Sequence, residues 1–371
     1  MQQNKNKILI AAGGTGGHLF PAQALAQELL KKQEGVELLF AGGGLSTNRC
    51  FQKDTFPFEE IFAATPYLTK KGSFFRSLWT IVKGIRQSFA ILSKFRPSLV
   101  VGFGSYHAFP LLVAAVFKKI PIMLFEPNSA PGKVNRLFSR KAVVSAVQFA
   151  QAADQLSGKI VEVNMPLWEK EGVKGVSIEE ARAYFSLDAT KLTFLVFGGS
   201  QGAVSINQLF AEAISLFAGQ HKDFQVIHFT GKQSSAEEAR RVYARLGIPA
   251  CVKEFEDRMY LAWQAASLVI CRSGAATLAE QAAFEVPGIL IPYPYATDDH
   301  QMKNALFMEN QVGGAVHLSE ADSTPEKLCA LMHDLLNRLQ PMRENMHAFK
   351  TLKQKQNLSN IIYNFLEKDH G

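Results

Sequence analysis

Apolar residues in this chain gather in short runs, and the runs are separated by segments in which apolar positions recur at helical spacing. Strands are predicted over residues 7–12 (KILIAA), 36–42 (VELLFAG), 99–104 (LVVGFG), 121–126 (PIMLFE) and 142–147 (AVVSAV). The alternation stops after about residue 165 and restarts, with strands predicted over 192–199 (LTFLVFGG), 225–231 (QVIHFTG), 250–255 (ACVKEF), 267–273 (SLVICRS) and 288–294 (GILIPYP). Strands that are apolar along their length and alternate with helices read as parallel sheets covered on both faces, an α/β protein. Each half opens in the same way, with a strand, a glycine-rich turn and a helix: ILIAAGGTGGH in the first and FLVFGGSQGA in the second. A single long doubly wound sheet accounts for the same strands, but two Rossmann-like halves are the more economical reading at 371 residues. The boundary is expected near residues 164–177 (NMPLWEKEGVKGVS), where strand patterning ceases and Pro, Gly and Lys accumulate.

Composition narrows the class. With 47% apolar and 20% charged residues the chain reads as a soluble globular protein. Its four cysteines (Cys50, Cys251, Cys271, Cys329) lie far apart without a CxxC pair, so neither a zinc site nor a disulfide framework is expected and a reducing cytosol fits. The start, MQQNKNKILI, lacks the apolar core of a signal peptide, and no stretch reaches the roughly 18 apolar residues of a spanning helix; a cytoplasmic protein, neither secreted nor integral to a membrane, is expected.

A net charge of +7 favours an anionic partner: nucleic acid, a phosphorylated small molecule or an anionic bilayer. No recognisable nucleic-acid reader motif is present, and a nucleic-acid module leaves the glycine turns unexplained. Basic residues cluster from Lys70 to Arg96, interleaved with Phe74, Phe75, Leu78, Trp79, Ile81, Val82, Ile85, Phe89 and Leu92. Arg76, Lys83 and Lys94 fall close to whole helical turns from one another, so this segment suits a helix lying on an anionic leaflet. A core-packed helix with solvated basic residues fits the same spacing.

The glycine turns carry the chemistry. In doubly wound sheets ligands bind beyond the carboxyl ends of the strands, where helix N-termini present free N–H groups. A tight turn needs one or two glycines; Gly13, Gly14, Gly16 and Gly17 exceed that, which points to close ligand contact. GGTGGH is not the dinucleotide pattern GxGxxG, and Leu45, Ser46 and Thr47 follow the second strand where a ribose-binding acid belongs, so a dehydrogenase is disfavoured. A P-loop is absent. His18 stands at the N-terminal end of the next helix, where the dipole favours a neutral imidazole suited to deprotonating an acceptor hydroxyl as general base.

Residues 271–305 form a third constellation. Ser273 and Gly274 make the turn after a strand, and a helix is predicted from near Ala275, again offering N–H groups to an anion. Glu280 lies a turn and a half in, where a carboxylate either accepts two ribose hydroxyls or is simply solvated. Asp298, Asp299, His300 and Gln301 crowd the next loop; without a second histidine at ligand spacing they read as a sugar-binding polar loop rather than a metal site.

Taken together, GGTGGHxFPA, GGSQGAxxxN, CRSGAxTxxE and HQxxNA resemble the MurG family of UDP-N-acetylglucosamine:N-acetylmuramyl-(pentapeptide) pyrophosphoryl-undecaprenol N-acetylglucosamine transferases, in order from about residue 7 to 320. The resemblance implies a GT-B fold, two Rossmann-like domains facing a deep cleft. It implies residues 1–164 as an acceptor-binding, membrane-associating domain joined by a C-terminal helix of about 350–371, seen in LKQKQNLSNIIYNFLEKD, and residues 165–349 as the UDP-N-acetylglucosamine-binding domain. The family transfers N-acetylglucosamine to the C4 hydroxyl of the lipid-linked muramyl sugar with inversion, without a cofactor or tightly bound metal. Its partners are UDP-N-acetylglucosamine, the undecaprenyl-linked acceptor, the anionic cytoplasmic face of the membrane, and proteins of cell-wall synthesis and division.

Carried over position by position, the resemblance makes His18 the base and puts Gly14 with Gly102, Gly104 and Tyr106 at the acceptor. Thr15, Gly16, Gly17 and Asn128 fall at the donor, with Ser200, Gln201, Glu256, Ala275, Ala276, Glu280, His300 and Gln301; Asn304 follows at the family's spacing. Three departures stand out. Trp168 in NMPLW replaces an arginine near the donor, so the diphosphate charge must be met by helix termini or another cation. Phe125 and Pro127 replace the histidine and glutamine of HEQN. Glu256 stands where an apolar residue offers its backbone to uracil. Another GT-B transferase, an epimerase, or a donor-binding member with impaired catalysis are the alternatives.

Overall fold

Residues Asn6–Ala11 (β1) form the strand from which the first sheet spreads in both directions: Ile8 lies opposite Leu38 on one side and Leu99 on the other, and Ile10 opposite Phe40 and Val101. The structure is a computed structural model that describes residues 6–32, 35–64, 71–167, 175–200, 202–352 and 355–368, with the side chains of its second helix described from Phe75 onward. The chain divides into two units, Met1–Glu169 with Lys355–Gly371, and Lys170–Gln354. The division after Glu169 lies within residues 164–177, the stretch in which strand patterning ceases, and the chain returns to the first unit at Lys355.

In the first unit β2 (Val36–Gly42), β3 (Phe58–Glu60), β4 (Leu99–Gly102), β5 (Ile122–Glu126), β6 (Val144–Val147) and β7 (Ile160–Glu162) complete a seven-stranded parallel sheet in the order β3-β2-β1-β4-β5-β6-β7. Helices α1 (Gly16–Lys32), α2 (Lys71–Phe95), α3 (Phe109–Phe117) and α4 (Lys133–Phe138) cover it. The central strands β4 and β5 are buried along their whole length, as continuous apolar runs require. In α2, Gly84, Ser88 and Leu92 recur every fourth residue and turn inward, and a Cβ on Gly84 would stand 1.8 Å from the Phe62 carbonyl oxygen, so only glycine fits there. The opposite face of the same helix leaves Phe75, Leu78, Trp79 and Val82 exposed at i, i+3, i+4 and i+7. The sequence left Trp79 and Ile85 open as core residues; Ile85 is partly buried, whereas Trp79 is 59% exposed.

The second unit repeats the plan. Strands β8 (Leu192–Phe197), β9 (Phe224–Phe229), β10 (Ala250–Lys253), β11 (Leu268–Cys271), β12 (Gly288–Leu290) and β13 (Ala315–His317) make a parallel sheet ordered β10-β9-β8-β11-β12-β13. Numbered within the unit this is 3-2-1-4-5-6, the dinucleotide-fold order. Helices α5 (Ile178–Tyr184), α6 (Val204–Ala218), α7 (Gln233–Leu246), α8 (Met259–Ala265), α9 (Ala275–Phe284), α10 (His300–Phe307), α11 (Pro325–Leu336) and α12 (Leu339–Leu352) flank it, and Phe194, Phe210, Phe217 and Phe224 meet in its core. Every predicted strand is present; β3, β7 and β13, each of three residues, were not predicted.

After α12 the chain re-enters the first unit. Gln356 bridges to Val163, and α13 (Leu358–Lys368) docks on α1, where the Tyr363 hydroxyl donates to the Leu29 carbonyl at 2.7 Å and Ser359 Oγ to Glu28 at 2.6 Å.

Candidate active site

In each sheet the strand order reverses beside its first strand, so the chain leaves the two strands there in opposite directions and opens a crevice beyond their carboxyl ends. In the first unit those strands are β1 and β4. The turn after β1 carries Gly14, Thr15, Gly16, Gly17 and His18, and Gly102 ends β4 with Gly104 and Tyr106 in the loop beyond it. Most of the glycines answer to the protein's own packing. A Cβ on Gly13 would stand 2.7 Å from the His107 Cβ, one on Gly16 2.6 Å from the Phe20 ring, and Gly14 has φ +88°. Gly17 alone among the four meets nothing closer than Thr15 Oγ1 at 3.6 Å. Gly102 is buried in its strand, where a Cβ would press on Leu112 and Leu124 at 3.0 and 3.1 Å.

His18 is the third residue of α1 and partly buried, with Nδ1 2.7 Å from the Phe103 carbonyl oxygen. A carbonyl only accepts, so Nδ1 carries the proton, and in the neutral ring Nε2 is the basic nitrogen. Asn128 follows β5, and both its backbone N–H (3.0 Å) and its Nδ2 (3.3 Å) donate to Glu126. Glu126 also accepts from Gly132 N and Asn135 Nδ2, each at 2.9 Å; burial pushes its carboxyl above the ordinary range against the pull of these bonds. Sequence reasoning missed Glu126, which ends the quoted run PIMLFE, and His107, which directly follows Tyr106.

In the second unit the switch lies between β8 and β11. After β8, Gly199 (φ +90°) and Gly202 (φ +73°) shape the turn that holds Ser200 and leads into α6. Gln201 and Trp168 lie outside the described residues. After β11, Gly274 caps α9, whose first residues are Ala275 and Ala276. Glu280 is partly buried on α9, and its Oε2 accepts from Trp263 Nε1 at 2.9 Å. Burial lifts its pKa to about 7, partly offset by the Trp263 bond, so it is not a solvated surface glutamate.

The loop after β12 is tied to the same turn. Ser273 Oγ donates to the Gln301 carbonyl at 2.7 Å, and the buried Asn304 donates from Nδ2 to the Ser273 carbonyl at 3.1 Å. Asp298 and Asp299 both take positive φ (53° and 55°), and His300 Nδ1 donates to Thr297 O at 2.7 Å. Glu256 is buried after β10: its carboxylate pairs with Lys253 at 2.6 Å and accepts the Arg258 N–H at 2.8 Å and the Tyr184 hydroxyl of α5 at 3.4 Å, so the side chain is taken up by protein groups. Arg272, not singled out from sequence, is buried and donates to the Ile291 and Pro292 carbonyls and Ser205 Oγ, and it pairs with Glu320. It joins the start of α6 to the segment after β12 that leads to His300 and Gln301 at the start of α10. Among the described residues no three His, Cys, Asp or Glu side chains form a metal-binding group, and no helix is long and apolar enough to cross a membrane.

Residues 8–146 match the glycosyltransferase family 28 N-terminal domain and residues 193–361 the glycosyltransferase family 28 C-terminal domain. The chain is 42% identical over 358 residues to the UDP-N-acetylglucosamine–N-acetylmuramyl-(pentapeptide) pyrophosphoryl-undecaprenol N-acetylglucosamine transferase of Protochlamydia amoebophila, covering 96% of this chain and 95% of that one. It is 34% identical over 371 residues to the protein of the same name from Desulforamulus reducens, covering 96% and 97%. The crystal structure of MurG from Acinetobacter baumannii superposes with a TM-score of 0.73 at 26% identity, over 98% of this chain and 99% of that chain. Two sheets in dinucleotide-fold order, the paired glycosyltransferase domains and end-to-end identity lead to one conclusion: the chain is a glycosyltransferase of the GT-B fold and belongs to the MurG family, the UDP-N-acetylglucosamine–N-acetylmuramyl-(pentapeptide) pyrophosphoryl-undecaprenol N-acetylglucosamine transferases.

Proposed function

We propose that this chain transfers N-acetylglucosamine from UDP-N-acetylglucosamine to the C4 hydroxyl of an undecaprenyl-pyrophosphoryl N-acetylmuramyl-pentapeptide, with inversion, completing the lipid-linked disaccharide of peptidoglycan. One observation carries the reading: a chain alike end to end to transferases of that name keeps, at the end of its first glycine turn, a histidine whose Nδ1 is tied to a backbone carbonyl and whose Nε2 is therefore basic.

The chemistry is a single displacement. As the acceptor oxygen attacks the anomeric carbon from the face opposite UDP, its proton passes to His18 Nε2, the new C–O bond forms and the bond to the UDP oxygen breaks. UDP departs with the bonding electrons, and N–H groups at the starts of α6 and α9 meet the growing charge. Glu280 accepts from the ribose hydroxyls, Glu256 offers its backbone to uracil, and Ser200, Gln201, Ala275 and Ala276 hold the diphosphate side. His300, Gln301, Asn128, Thr15, Gly16 and Gly17 serve the donor sugar; Gly14, Gly102, Gly104 and Tyr106 serve the acceptor. The place of a junction arginine is taken by Trp168, which leaves the diphosphate to the helix termini or another cation.

The exposed apolar stripe of α2, with Arg76 and Lys83 exposed beside it, supports a peripheral attachment to the anionic cytoplasmic face of the membrane, where the acceptor resides. Through its product the enzyme serves cell-wall biogenesis and, with it, cell shape and division.

The test is radiolabel transfer from UDP-N-acetylglucosamine to a soluble analogue of the lipid-linked muramyl acceptor, with UDP-glucose as competitor. Transfer that UDP-glucose fails to suppress is expected. No transfer leaves the fold standing and removes the function.

A further inference from the structure

Three glycines of the first unit make room for one imidazole. A Cβ on Gly13 would stand 2.7 Å from the His107 Cβ, one on Gly14 3.1 Å from its Nδ1, and one on Gly43 3.0 Å from its Cδ2. The ring is wedged between the turn after β1 and the turn after β2, and the His107 carbonyl also accepts the Gly43 N–H at 3.2 Å. Ser105 secures it: its Oγ accepts the His107 backbone N–H at 3.0 Å and lies 3.2 Å from Nδ1. With Oγ already accepting one N–H, its own proton is free to go to Nδ1, which fits the Nε2–H tautomer.

Ser105 holds this arrangement at φ +68°, in the left-handed region that favours glycine. Strain of this kind persists where the surroundings over-determine it, and it gathers at sites that must keep one geometry. Glycine at 105 relieves the strain and deletes the hydroxyl in the same step. The loop from Phe103 to His107 also grips the glycine turn from both ends, because Phe103 anchors His18 after the turn while His107 fills the space at Gly13 and Gly14 before it. Burial holds the His107 pKa below its ordinary value, so the ring contributes shape and a hydrogen bond rather than charge.

We infer that Ser105 and His107 form a positioning pair that sets Gly14, at the start of the first glycine turn, and through the same loop His18, for the acceptor; this rests on the reading of the first unit as the acceptor half-site. The pair touches the reaction only through the turn it holds. Steady-state transfer with donor and acceptor varied separately, together with thermal melting, tests it on the full chain with Ser105→Gly, His107→Leu and His107→Asn.

Ser105→Gly should melt at or above the wild-type temperature, yet its acceptor KM should rise about fivefold or more while the donor KM stays within about twofold. His107→Leu should share the acceptor defect, and His107→Asn, whose amide can still bond the Ser105 hydroxyl, should recover at least half of it. A stable Ser105→Gly protein with an acceptor KM within about twofold of wild type overturns the inference. So does a defect spread equally over both substrates, which marks general loosening. Absence of transfer by the wild-type chain overturns the functional reading and takes this inference with it.

Discussion

Nδ1 of His18 and the carbonyl oxygen of Phe103, 85 positions apart in the chain, stand 2.7 Å from each other. The contact fixes the imidazole tautomer across the crevice between β1 and β4. His18→Ala should therefore lower kcat by about 10²–10⁴-fold while the KM for UDP-N-acetylglucosamine moves less than about twofold. Initial rates with the soluble acceptor analogue check this, and an unchanged kcat sinks the role of His18 as base.

Glu280 offers a pH signature. Its carboxyl is lifted from 4.5 to about 7 by burial, so the folded protein holds a proton there that the unfolded chain releases. The sign follows: this group costs nothing below pH 4.5, and its ionisation penalty is in full force above about 7, so stability falls as pH rises between these values. Glu280→Gln keeps an oxygen for Trp263 and has no charge to bury. It should be more stable than wild type by on the order of 1–3 kcal/mol at pH 8 and equal to it near pH 4.5. Its UDP affinity should be weaker and flat with pH, where that of the wild type rises through about 7. Denaturant melts and UDP titrations at both pH values give the answer, and parallel pH profiles for the two proteins contradict it.

Asn304 ties α10 to the turn before α9. Replacing it with alanine leaves the buried Ser273 carbonyl without that donor and should cost about 1–3 kcal/mol. Because the same turn is bonded to Gln301, the donor KM should rise with it. Urea melts and donor saturation curves measure both effects; a donor KM that does not move separates this bond from the site.

The stripe on α2 predicts attachment to a bilayer. Phe75 is 74% and Trp79 59% exposed, and Lys83 lies over the Trp79 ring at 5.6 Å. Each large side chain buried in the headgroup region contributes about 1.5–3 kcal/mol. Phe75→Ser with Trp79→Ser should abolish sedimentation with anionic liposomes and leave transfer to the soluble analogue intact. Equal sedimentation of variant and wild type, with no acceptor present, counts against this face.

Much of the sheet scaffold was legible because runs such as Leu99–Gly102 are buried on both sides and need no partner to be recognised. The edge strands β3, β7 and β13 were not, since Phe58–Glu60 or Ala315–His317 is too short to show a period and is fixed by its neighbour in the sheet. The glycine motifs fall in the turns after β1 and β8, but one reason for glycine there was hidden: Gly13 and Gly14 leave room for His107, an encounter between loops that adjacent positions do not disclose. Likewise the partial burial of Glu280 and its bond from Trp263, 17 positions away, are not disclosed by its sequence neighbours. Periodicity reports burial, whereas site chemistry depends on encounters between distant segments.

The docking of α13 on α1 has a consequence for biosynthesis. It makes the second unit one unbroken stretch, inserted into a first unit that is assembled from two. As the nascent chain leaves the ribosome at roughly 5–20 residues per second, the first sheet is translated early yet waits for its last helix until the whole second unit has emerged. Completion of the first unit then waits on the second, and a segment translated after the second unit is the one that seals the domain translated first.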